Sequence, residues 1–200
     1  MHNTRFDKAV DENSINPGFQ MFEKRVSGMF LGEVLRQVLL TLIKDAELFN
    51  GKTSTPLNTQ YGIDTAAMST IAGDDSTHLD KVGDTITAAF GITESSLDDR
   101  KAVKLVSDAI ARRSARLAAV AVSAVSDHTG RFDSATEARP VDIGADGSLV
   151  EFYPNYVQMC LSACDEILGN NASKRIRIGL AKDGSGVGAA LYIPICDLGC

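Results

Sequence analysis

The feature of this sequence that most constrains its fold is one long helical pattern, which runs from Ser96 to Asp127. Its second half, with the sequence RLAAVAVSAV, carries small or apolar residues on nearly every face. A helix that is apolar all round is usually buried inside a protein. The pattern therefore predicts a long helix whose second half is enclosed by other elements.

A second long helix is predicted near the start of the chain. Asn16 followed by Pro17 is typical of a helix start, because asparagine can cap a backbone N–H and proline fits the first helical position. Gly51, after Asn50, is a typical helix end. Between these ends, apolar residues recur at three- and four-residue intervals: Phe22, Val26, Met29, Phe30, Val34, Leu35, Val38, Leu39 and Leu42. Residues 1–15 are polar and lack sustained periodicity, so they are predicted to be a leader before the first element.

Shorter helices are predicted between these two long ones. Residues 52–61 are rich in Thr, Ser and Pro and are predicted to form a surface loop. Asp64 or Thr65 can cap a helix that continues to Ile71. A further short helix is predicted over residues 79–90.

Strand patterns follow the long helix. Residues 141–143 and 149–152 are predicted to be the strands of a hairpin, since the turn between them, residues 144–147, contains an Asp-Gly pair. Residues 156–168 form a helical pattern, and residues 175–181 alternate as a strand does. Helices first, and then alternating strands and helices, predict a single α/β unit with a small sheet covered by helices.

The last apolar stretch, residues 184–195, is predicted to be a glycine-rich turn that enters a helix. Its sequence GSGVGAA follows a predicted strand and so resembles a dinucleotide-binding loop. We assign its glycines to close packing of the last helix, because a single motif of this kind is a weak signal.

Composition and charge exclude some classes of partner. The net charge of −6 disfavours binding to nucleic acid, which needs a concentrated basic face. The longest apolar run, from Leu117 to Val125, is far shorter than the roughly 20 residues of a membrane span. The first residues contain no apolar segment of a secretion signal. We therefore expect a cytoplasmic protein with no nucleic-acid and no membrane partner.

The four cysteines form two pairs with a spacing of four, which superficially resembles two halves of a metal site. Cys160 and Cys164, however, fall within an amphipathic helical pattern, and Cys196 and Cys200 belong to the chain end. We therefore predict no metal site.

One cluster has the chemistry of a sugar site. Gln20 and Glu23 lie three apart, on one face of the first two turns of the predicted helix that starts at Asn16. A carboxylate and an amide together supply the acceptors and donors that a polyol requires. An ordinary exposed helix start is an equally good interpretation.

Two further clusters suit a nucleotide. Thr65 and Ser69 lie four apart, so their hydroxyls can meet a ribose or phosphates on one helix face. Helix capping is the commoner role of such residues. The GADGS segment, residues 144–148, makes a tight turn that allows close backbone approach by a flat ligand, although a plain hairpin turn explains it as well.

Together these segments resemble a known family. Residues 15–40, INPGFQMFEKRVSGMFLGEVLRQVLL, strongly resemble the hexokinase signature NPGxQxFEKxxSGMYLGE. The resemblance continues in order through GIDTAAMS, RSARLAAVAVSAV, DIGADGSLVEFYP and LAKDGSGVGAAL, and so covers nearly the whole chain. The chain is identified as a member of the hexokinase family, of the fungal ATP-dependent type, with residues 16–200 as the C-terminal part of the large domain.

The resemblance implies a fold, ligands and site residues. The fold is the α/β actin-like, ribonuclease-H-like ATPase fold, here a partial large domain with long helices and a small sheet. The ligands are glucose or a related hexose, and ATP with the Mg²⁺ that accompanies it. Gln20 and Glu23 match positions that hold glucose hydroxyls. The positions that match the family's nucleotide and adenosine side are Gly28, Thr65, Ser69, Gly147, Ser148, Leu149 and Phe152.

The sequence also departs from the family pattern. Phe19 replaces the first of two usual glutamines, and Met29 stands where some relatives carry lysine. Segments of the DxGGTxxR, NDT and EWGAF type, which carry the phosphate loop, the catalytic aspartate and a sugar-binding glutamate, do not occur. Phosphoryl transfer needs these groups. We therefore expect no turnover by this chain alone. It is either a piece of a hexose-phosphorylating enzyme, or a non-catalytic sugar- or nucleotide-binding remnant or truncated product; whether a partner supplies the missing half is open.

Overall fold

Helices dominate the structure, and its two strands come late in the chain. The computed structural model describes residues 3–131, 140–169, 172–184 and 186–187. The helices that precede the sheet are α1 (Arg5–Glu12), α2 (Glu23–Val26), α3 (Gly28–Lys44), α4 (Thr55–Asn58), α5 (Thr65–Ala72), α6 (Asp80–Phe90) and α7 (Leu97–His128), with a 3₁₀ turn over Phe49–Gly51. The remaining elements are β1 (Val141–Ala145), α8 (Ser148–Phe152), α9 (Tyr156–Leu168), α10 (Ala172–Arg175) and β2 (Ile176–Leu180).

The long helix α7 is the central element, and its predicted extent is confirmed. Ser96 caps its first turn in a reciprocal capping box with Asp99. α7 packs against α9, α3, α2, α5 and α6. The prediction that other elements enclose its second half holds for one side of the helix, where Ala119, Ser123 and Ser126 are buried. Val120 and Val125, on the other side, are 47% and 63% exposed.

The first fifteen residues were predicted to be a polar leader, but part of this segment is helical. Residues 5–12 form α1, which begins with a capping box between Thr4 and Asp7. Asp7 and Val10 are buried on its inner face. Hydrophobic periodicity did not predict this helix because one of its two inner positions carries a charge. Asp7 accepts two hydrogen bonds from Arg113 of α7, at 2.7 and 2.9 Å.

The predicted helix from Asn16 to Asn50 is interrupted and shorter. Residues 13–22 form turns and bends, α2 begins only at Glu23, and Ser27 has an extended backbone that separates α2 from α3. Gly18 and Gln20, with φ of +80° and +53°, cannot continue a helix. α3 ends at Lys44, so neither predicted end is correct.

The predicted surface loop at residues 52–61 contains α4 and contributes to the core through the fully buried Leu57. An ion pair on α3, between Arg36 and Glu33, holds this segment in place. Arg36 donates to both oxygens of Glu33, at 2.7 and 2.5 Å, and to the carbonyl of Leu57 at 2.7 Å. Glu33 also accepts the N–H of Tyr61 at 2.7 Å. A buried pair with these extra hydrogen bonds holds α3 and the 57–61 segment in one geometry.

The predicted helices at α5, α6 and α9 are confirmed, and Asp64 is the cap of α5. The predicted hairpin is wrong. Residues 148–152 form α8, and β1 pairs instead in parallel with β2, with Val141 opposite Ile176. The Asp-Gly pair ends β1, and the chain does not reverse there. Parallel strands need a long crossover between them, and α8 to α10 provide it. Of the predicted helix at 184–195, nearly all lies outside the described residues.

The core gathers around α3, α5, α6 and α7. Its largest fully buried side chains include Leu31, Leu35, Leu39, Ile71, Ile86 and Phe90. A smaller apolar cluster joins the sheet to α7 and α9 through Ala119, Val141, Ala163, Cys164, Ala172 and Ile176.

We predict that Phe90→Ala lowers the free energy of unfolding by about 3–5 kcal/mol, because it removes a fully buried ring and leaves a cavity. The control is Leu105→Ala, since Leu105 is 71% exposed on α7 and its truncation should change stability by less than about 0.5 kcal/mol. Urea unfolding followed by circular dichroism measures both. Equal effects of the two variants would contradict the position of α6 in the core.

A second prediction concerns acid. Burial raises the pKa of Glu33, but hydrogen bonds from Arg36, Gln37 and the Tyr61 N–H outweigh it and bring the pKa below the ordinary value. Asp7 is affected in the same way, as Arg113 and Thr4 lower its pKa against the effect of burial. Groups with a lowered pKa in the folded state stabilise it above the pKa of the unfolded chain, and this contribution disappears as the pH falls. The free energy of unfolding should therefore decrease steeply below about pH 4.

The variant Glu33→Gln tests this origin. It should cost about 3–5 kcal/mol at neutral pH, because Arg36 keeps a buried charge without its partner, and it should make the acid decrease shallower. Glu47→Gln, at an exposed position beyond α3, should retain the wild-type curve. Denaturant unfolding between pH 3 and pH 7 measures this, and an unchanged acid slope in Glu33→Gln would rule out the proposed cause.

Candidate functional site

A cleft of about 430 Å³ opens where the first turns of α3 and α5 meet α8. Its walls consist of Gly28, Met29, Asp64, Thr65, Ala66, Ser69, Ser148, Leu149 and Phe152. Six of the residues that the sequence predicted for the nucleotide side are among them, although they come from three distant segments. The seventh, Gly147, directly precedes α8. The fold thus brings the predicted nucleotide-side residues together.

Beside the cleft, α3 lies in close contact with the residues that lead into α5. A Cβ atom on Gly32 would lie 2.3 Å from the carbonyl oxygen of Ile63, so only glycine fits there. The Thr65 hydroxyl accepts the N–H of Gly32 at 2.8 Å and donates to the carbonyl of Gly28. This hydroxyl therefore joins the two helices. It lines the cleft, but its proton is already used in a hydrogen bond within the protein.

The walls of the cleft differ in chemistry. Leu149 is buried, whereas Phe152 and Met29 are 65% and 69% exposed. Hydroxyls of Ser69 and Ser148 lie on the polar side. The Asp64 carboxylate caps α5, where it accepts the N–H of Ala66 at 2.7 Å. An apolar wall with a few hydroxyls is the arrangement that holds a flat ring attached to a polar group.

The GADGS turn has a different geometry from the predicted one. Gly147 has a φ of +120°, which side-chain-bearing residues rarely adopt, and a Cβ atom there would meet nothing within 4 Å. Glycine is therefore required by the backbone conformation at the start of α8, which directs Ser148 and Leu149 into the cleft.

The residues predicted for the hexose lie outside this cleft. Gln20 precedes α2, and Glu23 is its first residue, so they do not share a helix face as predicted. They are nevertheless in contact, because Gln20 Nε2 donates to Glu23 Oε2 at 2.7 Å. Asn16 Nδ2 in turn donates to Gln20 Oε1. Asn16, Gln20 and Glu23 therefore form a chain of hydrogen-bonded side chains at the surface, which we call the polar chain.

Two charged residues beneath the polar chain were missed. Lys24 and Asp11 form an ion pair with 2.7 Å between Nζ and Oδ1. Asp11 belongs to the segment that was interpreted as a leader, so the sequence pattern gave no reason to connect it with Gln20. The signal that could have found Lys24 is its place in the FEK part of the matched signature.

The structure describes one of the two cysteine pairs. Cys160 and Cys164 are buried free thiols in α9, and burial, with the neighbouring Cys164, raises the pKa of Cys160 to about 12. Cys196 and Cys200 lie outside the described residues. Across residues 3–131, 140–169, 172–184 and 186–187, no group of three or more His, Cys, Asp and Glu side chains is placed to hold a metal ion.

None of the helices in the described part of the chain combines the length and the apolar character that a bilayer crossing requires.

Known proteins resemble this chain in both fold and sequence. A hexokinase from Schistosoma mansoni, solved in complex with glucose, superposes with a TM-score of 0.78 at 26% identity, over 92% of this chain and 39% of that one. A second hexokinase crystal structure, 23% identical, superposes with a TM-score of 0.77 over 92% of this chain and 38% of the other. The chain thus has the actin-like ATPase fold of hexokinases, here mostly helical with a two-stranded parallel sheet.

The sequence comparisons are more specific. The family profile described as Hexokinase matches residues 1–195. Glucokinase of Aspergillus niger is 43% identical over 94% of this chain, and hexokinase-7 of Oryza sativa subsp. japonica is 39% identical over the same share. The chain belongs to the hexokinase family. It spans 40% of the length of these two relatives. A rice relative with 37% identity is named hexokinase-4, chloroplastic.

The close contact at Gly32 gives a third prediction. Gly32→Ala should lower the free energy of unfolding by at least about 2 kcal/mol, because the new methyl group collides with the backbone at Ile63. Gly28→Ala is the matched control on the same helix. Its Cβ would lie 3.6 Å from Leu149, an ordinary contact, so stability should change by less than about 1 kcal/mol. Thermal unfolding compares the two, and a tolerated Gly32→Ala would contradict the close α3–α5 contact.

Proposed function

We propose that this chain supplies parts of the hexose and ATP sites of an ATP-dependent hexokinase, which phosphorylates glucose or a related hexose to its 6-phosphate in glycolysis. The observation that carries the proposal is the convergence of Gly28, Thr65, Ser69, Ser148, Leu149 and Phe152 on one cleft. Packing alone does not require that three separate segments of the signature meet around an open space.

The polar chain is the proposed hexose side. Glu23 is exposed and keeps one carboxylate oxygen, Oε1, that accepts nothing from Gln20. A carboxylate that accepts two sugar hydroxyls, beside an amide that donates and accepts, fits a polyol. The hydrogen bond from Gln20 orients this carboxylate before the sugar arrives. Pre-orientation reduces the entropy that binding must overcome.

The cleft is the proposed nucleotide side. Leu149 and Phe152 would cover an adenine ring, and the hydroxyls of Ser69 and Ser148 would meet the ribose. Mg²⁺ is expected to arrive bound to the phosphates of ATP, since such sites hold this ion largely through the substrate. The described residues offer no group of three carboxylates that would bind it alone.

The chemical step is proposed to need further groups. Phosphoryl transfer requires donors that stabilise the transferred phosphoryl group and a base that accepts the proton of the sugar hydroxyl. The sequence contains no counterpart of the family's phosphate loop or catalytic aspartate. Residues 16–200 are proposed to be the C-terminal part of the large domain, which fits the 40% of the relatives' length that the chain spans.

A second candidate is a binding module without turnover. It is favoured by one observation: the polar chain and the cleft are present, while residues 1–200 contain no counterpart of the family's phosphate loop or catalytic aspartate. Such a module would hold sugar or nucleotide for regulation, or would pair with a chain that supplies the absent groups. A truncated product is the third reading of the same sequence. A cytoplasmic location, without nucleic-acid or membrane partners, remains our prediction for all three.

Separate titrations with glucose and with ADP test the two sites. Glu23→Ala should weaken glucose binding at least about tenfold, because it removes a charged hydrogen-bond acceptor, and should leave ADP binding unchanged. Ser69→Leu should have the opposite effect, since the larger side chain fills the cleft. Thr70→Leu, an exposed neighbour that does not line the cleft, is its control. Calorimetry measures all of them; loss of both ligands in either variant would contradict two separate sites.

Turnover by the chain alone is expected under none of the three readings. The chain alone should form no ADP from ATP above background when glucose is added, because it lacks an identifiable base. The coupled assay with added glucose measures this. Glucose-dependent ADP formation that disappears in Glu23→Ala would show that a catalytic group has been overlooked.

A further inference from the structure

Beneath the polar chain lies an ion pair whose role the proposed function leaves open. The Lys24 side chain is 3% exposed and the Asp11 side chain 14% exposed, so the pair is shielded from water. Burying a lysine is costly unless its charge is paired and hydrogen-bonded. An ion pair kept in such a place calls for a structural or functional reason.

The pair binds the backbone of the polar segment at two points. The Asp11 carboxylate accepts the N–H of Gly18, with distances of 3.0 and 3.1 Å to its two oxygens. Lys24 Nζ donates to the carbonyl oxygen of Asn16 at 2.7 Å. The turn at residues 16–18 is thereby fixed from below by two charged groups. Hydrogen bonds with a charged partner are the strongest of their kind.

The backbone adds one hydrogen bond to this turn, from the Phe19 N–H to the Asn16 carbonyl oxygen at 3.2 Å. Residues 13–22 belong to no helix or strand, and Gly18 and Gln20 have positive φ angles. A segment without regular backbone hydrogen bonds fluctuates unless side chains hold it. The side chains of Asn16 and Gln20, which start the polar chain, project from this segment.

The ion pair is itself anchored to the core. Asp11 lies one turn after Asp7 on α1, and Asp7 accepts two hydrogen bonds from Arg113 of the central helix α7. Lys24 lies on α2, which packs against α3 and α7. Both members of the pair therefore belong to helices that pack against the core, whereas the turn that they hold belongs to no helix or strand.

We propose that the Asp11–Lys24 ion pair is a positioning device for the side chains that receive the hexose. It fixes residues 16–18, and through them the direction in which Gln20 and Glu23 present their polar atoms. α1 thus belongs to the hexose side, although none of its residues is in the polar chain. The inference rests on the proposed hexose site, but the ordering of the turn can be measured without any sugar.

The first variant is Asp11→Asn, which removes the charge and keeps the shape. The control is Glu12→Gln, which removes the same charge one residue later on α1, where Glu12 is exposed and lies 3.7 Å from Lys8. Because Asp11→Asn leaves Lys24 without a counter-charge, the double variant Asp11→Asn with Lys24→Met is included. It leaves no unpaired buried charge and keeps most of the apolar stem of Lys24.

Two readouts are measured on each folded variant of the full chain. Nuclear magnetic resonance follows hydrogen exchange of the Gly18 amide and the side-chain NH₂ signals of Asn16 and Gln20, which report order of the turn. Calorimetry follows glucose and, separately, ADP. We expect faster exchange at Gly18, averaged NH₂ signals and at least about tenfold weaker glucose binding, with ADP binding unchanged. Glu12→Gln should match the wild type in every readout.

Three other outcomes would overturn the proposal, and a fourth would contradict only the hexose function. An ordered turn in both the single and the double variant would overturn the positioning role, whatever the sugar does. A disordered turn with wild-type glucose affinity would overturn it too. Parallel loss of glucose and ADP binding would mean general destabilisation and also overturn it. If the wild-type chain binds no glucose while the turn still becomes disordered in the variants, the ion pair is shown to order the turn, and the proposed hexose function is contradicted.

Discussion

The rest of the site depends on the close contact of α3 with α5 at Gly32. The backbone of α3 lies so near Ile63 that a methyl group has no room, and the Thr65 hydroxyl closes the contact with two backbone hydrogen bonds. One residue further along α3, the buried Glu33 carboxylate holds the N–H of Tyr61. The approach to α5 is therefore fixed at two neighbouring positions, and this alignment gives α8 a surface on which to complete the cleft.

Local capping chemistry made much of the fold predictable. Asp64, one of the two residues expected to cap α5, does so, because a short polar side chain before an apolar periodic run can accept the first free N–H groups of a helix. The predicted long helix likewise begins where its pattern begins, at Ser96. Strand pairing was not predictable in this way. The Asp-Gly pair before Ser148 is compatible with a hairpin, and only the tertiary fold decides that β1 pairs with a strand beyond α9. Helix α1 escaped detection because Asp7 occupies a core-facing position.

The candidate site, like the fold, could be predicted from the sequence only in part. The family resemblance named the side chains around the cleft, and six of them meet there, including Ser69 and Leu149. It did not give the conformation of the hexose-side segment, which was taken for a helix. Charged residues such as Asp11 and Lys24 have no periodic signature, since the position of each is defined by a partner distant in sequence. Long-range pairs of this kind are what sequence patterns leave out.

The parallel pairing of β1 with β2 has a consequence for how the chain folds. These strands meet only after the whole of α8, α9 and α10 has been placed between them, so their contact closes a long loop. A two-stranded sheet gains little stability from its own hydrogen bonds. We therefore expect the strands to join the core of α3, α5 and α7 late in folding and to separate early when the native protein opens locally. The segment that presents Ser148 and Leu149 to the cleft begins at the end of β1, so opening of the sheet would release one wall of the cleft while the other two remain in place.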